Sequence, residues 1–225
     1  MQNVLASICA DAIRPEVVAT QGQVWDAIRH PGAWWSGPAR VEIARQARAA
    51  RILRTIPPWS RKDLPEAGDR LPDAAVEVVR TIAADAHRID RSWAEEKISQ
   101  LGDAQYVELI AVTVVVCAMD TFADALGVDY EPLPEPLGGD PDQQRNPNVS
   151  AEGAFVDMQV PWQGPNVARA LSLVPSQQML FMGLVMQMYG GPGLFTEMVW
   201  ENTPLSRPQA ELLAARVSAL NECFY

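Results

Sequence analysis

The stretch AQYVELIAVTVVVCAMDTFADALG, opened by Asp103, constrains the fold more than any other part of the chain. Its apolar residues recur at intervals of three and four and go nearly all the way round a helical projection, which predicts a helix that neighbours must cover on every side. Several other helices must therefore surround it. Its uninterrupted apolar run, Leu109 to Met119, is eleven residues long and includes Thr113, well short of the ~20 residues a membrane-spanning helix needs. Nowhere does the chain alternate with period two between tight turns, so the expected class is all-α.

The surrounding helices can be placed from their caps and breakers. Apolar spacing predicts one from about Pro15 to Ile28, stopped by HPGAWWSGP. Ser36 then precedes a helix through ARVEIARQARAARILRTI, with Val41, Ile43, Ala44, Ala47 and Ala50 as its apolar stripe, its arginines on the opposite face, and Pro57-Pro58 as its end. Asp73 is placed to cap AAVEVVRTIAADA, and Asp90 or Ser92 to open SWAEEKISQLG, which Gly102 closes. The stretch YEPLPEPLGGDPDQQRNPNVS is too rich in proline and glycine for helix or sheet interior and reads as an extended surface connection. Beyond it, Asn166 is placed to cap VARALSLV, and Pro175 to start SQQMLFMGLVMQMY, stopped by GGPG at 190–193. Ser206 and Gln209 form a capping box for the last helix, SRPQAELLAARVSALNE. The resulting organisation is a helical extension over 1–60, a first helical unit over 61–130, a Pro-rich connection over 131–160 and a second unit over 161–225.

Composition narrows the function classes. With 225 residues, 48% of them hydrophobic, the chain can bury a real core as one domain or two small ones. Twenty-eight acidic residues against 18 basic ones give a formal charge of -10, which opposes binding to nucleic acid or to an anionic membrane surface. Only Cys9, Cys117 and Cys223 carry thiols, an odd count that fits a reducing, cytoplasmic setting and makes no disulfide framework. The two histidines, His30 and His87, have no spacing that recommends a metal site, and no phosphate-binding glycine loop occurs, so no cofactor is expected. Cys117, inside the most apolar helix, is expected to be inert; Glu108, if buried there, needs an arginine or a hydrogen bond as its partner, and a surface location at the helix start is the simpler alternative.

The two apolar helices also echo one another. Glu108-Leu109, Ala111 and Val114 match Glu211-Leu212, Ala214 and Val217 at identical offsets, in a register that sets Asp120 opposite Cys223. Chance in an alanine-rich chain explains this as readily as a duplicated helical unit does. The string LSRPQAELLAARVSALNECFY resembles the core of the alkylhydroperoxidase D-like and carboxymuconolactone decarboxylase superfamily, in which a glutamate is followed twelve residues later by a cysteine, as Glu211 is here by Cys223. The stretch from Tyr106 to Pro136 is similar to the preceding unit of long members of that family. The resemblance covers most of residues 74–225.

The resemblance implies an all-α, alkylhydroperoxidase D-like fold of two related helical units, assembled as a homo-oligomer. It further implies a thiol-dependent peroxidase or disulfide oxidoreductase acting on a small hydroperoxide with a thiol reductant, Glu211 and Cys223 being the catalytic pair. Residues twelve apart on a straight helix lie about 18 Å from each other, so the helix is expected to break near Asn221-Glu222. The family pattern continues with a second cysteine and a histidine past Tyr225, and without that second cysteine residues 1–225 are not expected to sustain turnover. Trp162, Tyr189 and Trp200 are candidates to line a substrate pocket, with Trp34, Trp35 and Phe181; core or interface packing is the simpler account of all six. Two rival functions remain. One is a cofactor-free decarboxylase, isomerase or oxygenase on a small aromatic or lactone with Glu211 as base; the other is a non-catalytic helical binding or assembly protein.

Overall fold

The computed structural model describes residues 13–60, 62–201 and 203–220. It is mostly helical, with α1 Pro15–Arg29, α2 Gly37–Thr55, α3 Asp73–Ala84, α4 Arg91–Leu101, α5 Asp103–Leu126, α6 Pro175–Met188, α7 Pro192–Thr196 and α8 Arg207–Leu220. One antiparallel pair of two-residue strands, β1 Val149–Ser150 and β2 Met158–Gln159, lies between α5 and α6. The caps explain the boundaries. Ser36 Oγ accepts from Ala39 N–H at the start of α2, Asp90 from Trp93 N–H at the start of α4, and Gly102 and Gly127 take positive φ at either end of α5. Asp73 is the first residue of α3, behind Pro72, and not its cap.

Helix α5 is the central element: α1, α2, α3, α4 and α6 all pack on it. It is long and apolar enough to cross a membrane by length and composition alone, yet these five helices pack on it and it buries Glu108 and Asp120, both ion-paired. Val24, Trp25 and Ile28 of α1, Ile43 and Ala47 of α2, Val78 and Val79 of α3, and Leu109, Val112 and Val116 of α5 share one core. Burying a side chain of this size contributes on the order of 1.5–3 kcal/mol, which is why the periodic stripes of these helices converge.

Two further expectations need correction. Three of the five arginines of α2 do not lie on an outer, solvent-facing side. Arg40 is 2% exposed, and Arg48 and Arg51 are mostly buried, because α5 carries an acid for each. Arg40 pairs with Glu108, Arg48 grips Asp120 through two bonds of 2.8 Å, and Arg51 Nη1 donates to Asp124 Oδ2 at 2.6 Å. The pairs follow the same order along both helices, so α2 and α5 run in the same direction. Arg48 also stacks between the rings of Trp25 and Tyr130. On another side of α2, buried Glu42 accepts from Arg45 and Gln46, and Gln46 Oε1 accepts from Arg80 of α3. The second correction concerns 166–174, which forms a single 3-10 turn, Asn166–Arg169, and no longer helix. Leu171, Ser172, Leu173 and Val174 are buried in succession, which one face of a helix cannot do, and Val174 is extended because Pro175 follows it.

The Arg40–Glu108 pair is sealed by backbone. Glu108 is 0% exposed; its Oε1 accepts from Arg40 and its Oε2 from Trp34 N–H at 2.6 Å. Gly32 lies so close over both side chains that a Cβ there would overlap Glu108 Oε1 and Arg40 Nη1. The long connection is then laid on this loop. Leu137 N–H donates to Arg29 O, Gln143 N–H to Ala33 O, and Asn146 N–H to Leu173 O, which carries the chain from the first half to the second.

Burial pushes the Glu108 carboxyl up, against the opposing pull of Arg40 and of the Trp34 and Trp35 amides. Replacing Arg40 by Met removes the strongest opposing charge and raises it further. A carboxyl whose folded-state value exceeds its unfolded one loses stability as pH rises between the two, because only the folded form still holds the proton. Arg40→Met is therefore expected to cost about 3 kcal/mol or more near pH 7 and distinctly less near pH 5. Urea unfolding at the two pH values checks this, and an equal loss at both contradicts it.

Candidate functional site

Three candidate residues of the second half, Tyr189, Trp200 and Glu211, converge where α6, α7 and α8 meet the start of α1. Helix α6 ends at Tyr189, and Gly190 and Gly191 follow with φ of 112° and 100°, a left-handed path that other residues resist. A Cβ at Gly190 would lie 2.6 Å from Leu194 Cδ1, so the turn must be glycine for α7 to fold back against it. This places Phe195 and Trp200 edge-on to the Tyr189 ring, at centroid distances of 5.6 and 5.7 Å. Helix α8 then brings Glu211 to the same corner. Tyr189 Oη donates to Glu211 Oε1 at 2.7 Å, and Arg207, one turn earlier on α8, donates to the same oxygen at 3.2 Å.

The corner borders an open cleft of about 350 Å³ lined by Arg14, Met188, Tyr189, Leu194, Trp200 and Leu205, among others. Of the three predicted lining residues, Tyr189 and Trp200 are thus brought together beside Glu211. Trp162 is not among the residues lining this cleft; its indole N–H donates to Gly164 O and Pro165 O in the loop before α6. Trp34, Trp35 and Phe181 pack against the core. Cys223 and the expected break at Asn221-Glu222 lie outside the described residues, as does Cys9; α8 is unbroken as far as Leu220.

Burial and the Glu211 contact push the Tyr189 hydroxyl up, so it remains a neutral donor to the carboxylate through the physiological range. Glu211 is about half exposed, unlike Glu108, its counterpart in the internal echo, which is sealed in the core. Sequence reasoning missed Arg207 and Arg14 here. The i,i+4 spacing of Arg207 and Glu211 was a readable signal, whereas the approach of Arg14 across more than 170 residues was not.

A second cleft, of about 530 Å³, opens between the C-terminal ends of α2 and α3 and is lined by Arg51, Arg54, His87, Cys117 and Thr121, among others. Burial pushes the Cys117 thiol up to about 12. Thiolate is the reactive form, so this cysteine is not a nucleophile at neutral pH. Among the described residues no group of three His, Cys, Asp or Glu side chains is placed to hold a metal ion. Comparisons with protein-family models, with curated proteins and with solved structures found no match, so the chemistry of these residues has to carry the functional reading.

With Cys9 and Cys223 replaced by serine, Cys117 is expected to react with iodoacetamide at pH 8 roughly a thousandfold more slowly than a free cysteine, and normally in urea. Native labelling at the free-thiol rate contradicts its assignment as a half-buried, protonated side chain.

Proposed function

We propose that the chain is a thiol-dependent peroxidase or disulfide oxidoreductase of the alkylhydroperoxidase D-like type, acting on a small hydroperoxide in the reducing environment of the cytoplasm. The observation that carries this reading is the Glu211 carboxylate, held by Tyr189 and Arg207 at an aromatic cleft and on the helix that leads toward Cys223. In the reaction, the Cys223 sulfur attacks the distal peroxide oxygen, an S–O bond forms as the O–O bond breaks, and the products are a sulfenic acid and an alcohol. Glu211 takes the thiol proton and returns it to the leaving oxygen, so the step needs no outside proton. Tyr189 and Arg207 keep the carboxylate oriented. The sulfenic acid is then open to a thiol reductant, which forms a mixed disulfide with it and releases water.

One observation favours a second reading: the cleft beside Glu211 is walled by Tyr189 and Trp200, which suits a small aromatic or lactone substrate deprotonated or decarboxylated with Glu211 as base. The two readings part at the cysteine. In a single-turnover assay the reduced protein is expected to consume about one equivalent of cumene hydroperoxide per Cys223. Cys223→Ser abolishes the reaction, Cys9→Ser leaves it unchanged, and Glu211→Gln slows it ~100-fold. Equal rates for Glu211→Gln and the parent protein sink the proton-relay role, and consumption that survives Cys223→Ser sinks the thiol chemistry.

Self-association belongs to the same proposal. Helix α8 buries no residue, and Leu212, Leu213, Val217 and Leu220 are exposed on it. Contiguous apolar surface of this kind favours a partner, here further copies of the chain. Sedimentation velocity at micromolar concentration is expected to show an oligomer that Leu213→Glu shifts toward monomer; a monomeric parent protein contradicts this.

A further inference from the structure

We infer that the cleft beside Glu211, taken as the substrate site proposed above, selects a small amphipathic carboxylate: an apolar ring or chain against Tyr189 and Trp200, with its anionic end at Arg14. The cleft's polar groups are nearly all committed within the protein. Tyr189 Oη donates to Glu211, Trp200 Nε1 donates to Leu194 O at 2.8 Å, and Thr203 Oγ1 donates to Leu205 O at 2.5 Å. With Met188, Leu194 and Leu205 they present hydrocarbon to whatever enters. A neutral polar molecule would lose its hydration there without recovering it.

Arg14 is the exception. Its Nη2 donates to the carbonyl oxygen of Gln187, and among the described residues no carboxylate is ion-paired with it. Glu16, two positions on, is exposed in the first turn of α1. Arg207, the other cation of this corner, is engaged by Glu211 and by the carbonyls of Phe195 and Glu197. Arg14 also precedes α1 directly, so its charge is reinforced by the positive end of a 15-residue helix. A cleft of about 350 Å³ suits one ring with a short chain. The chain as a whole, at -10, repels anions, so carboxylate binding requires a local cation such as this one.

Isothermal titration of the whole chain at pH 7.5 with 4-phenylbutanoate, 4-phenylbutan-1-ol and 4-phenylbutylammonium tests the inference. The acid is expected to bind about tenfold more tightly than the alcohol. Arg14→Gln brings the acid to the level of the alcohol and leaves the alcohol unchanged, Arg14→Glu turns the preference toward the ammonium, and Trp200→Ala weakens all three. Equal binding of acid and alcohol by the parent protein, a preference that survives Arg14→Gln, or no binding of any of the three overturns it. Binding requires no turnover. Failure of the Cys223 chemistry therefore leaves this result standing, and absence of the carboxylate preference leaves the Cys223 chemistry standing.

Discussion

The ion pair of Arg40 and Glu108, closed over by the backbone of Gly32, is the interaction on which the rest of the structure depends. Two charges without access to water are tolerable only when each is matched and the remaining lone pairs are satisfied, and here the second carboxylate oxygen is taken by the Trp34 amide. Meeting those demands fixes the loop between α1 and α2 against α5. The loop in turn receives the long connection through Arg29 O and Ala33 O, and the connection hands the chain to Leu173, just before α6. The end of α6 carries Tyr189, so the candidate site is hung from the buried pair through a continuous series of backbone bonds.

Much of this scaffold was legible in the sequence because helix boundaries are local. Ser36, Asp90, Gly102 and Pro175 act within a turn of themselves, and the elements begin and end where those residues require. The all-round apolarity of 103–126 correctly marked a central helix, whereas the burial of Glu108 was left open, with an arginine or a hydrogen bond as the partner that burial would require. What was not legible depended on partners distant in the chain. Charge alone sent the α2 arginines to the outside, since only the acids at 108, 120 and 124 on another helix explain their burial. The stretch 166–174 looked helical by composition, but its burial of four successive residues is set by the hairpin and connection that cover it, as Ser172 Oγ accepting from Gln159 N–H shows.

The candidate site was legible in its residues and not in its surroundings. Glu211, Tyr189 and Trp200 lie together, while Trp162 packs in its own loop. The contrast between Glu108 and Glu211 is instructive. They occupy matching positions of similar sequence, yet one is locked against an arginine in the core and the other stands half exposed beside a tyrosine. Burial fits the first for architecture, and access with two orienting donors suits the second for proton transfer.

Arg40 and Glu108 act as one unit. A double-mutant cycle with Arg40→Met, Glu108→Leu and the double variant, followed by urea unfolding at pH 7, measures it directly. Each single change should cost several kcal/mol and the double variant far less than their sum, with a coupling of about 3 kcal/mol. Losses that add to within about 0.5 kcal/mol would show that the two side chains act independently.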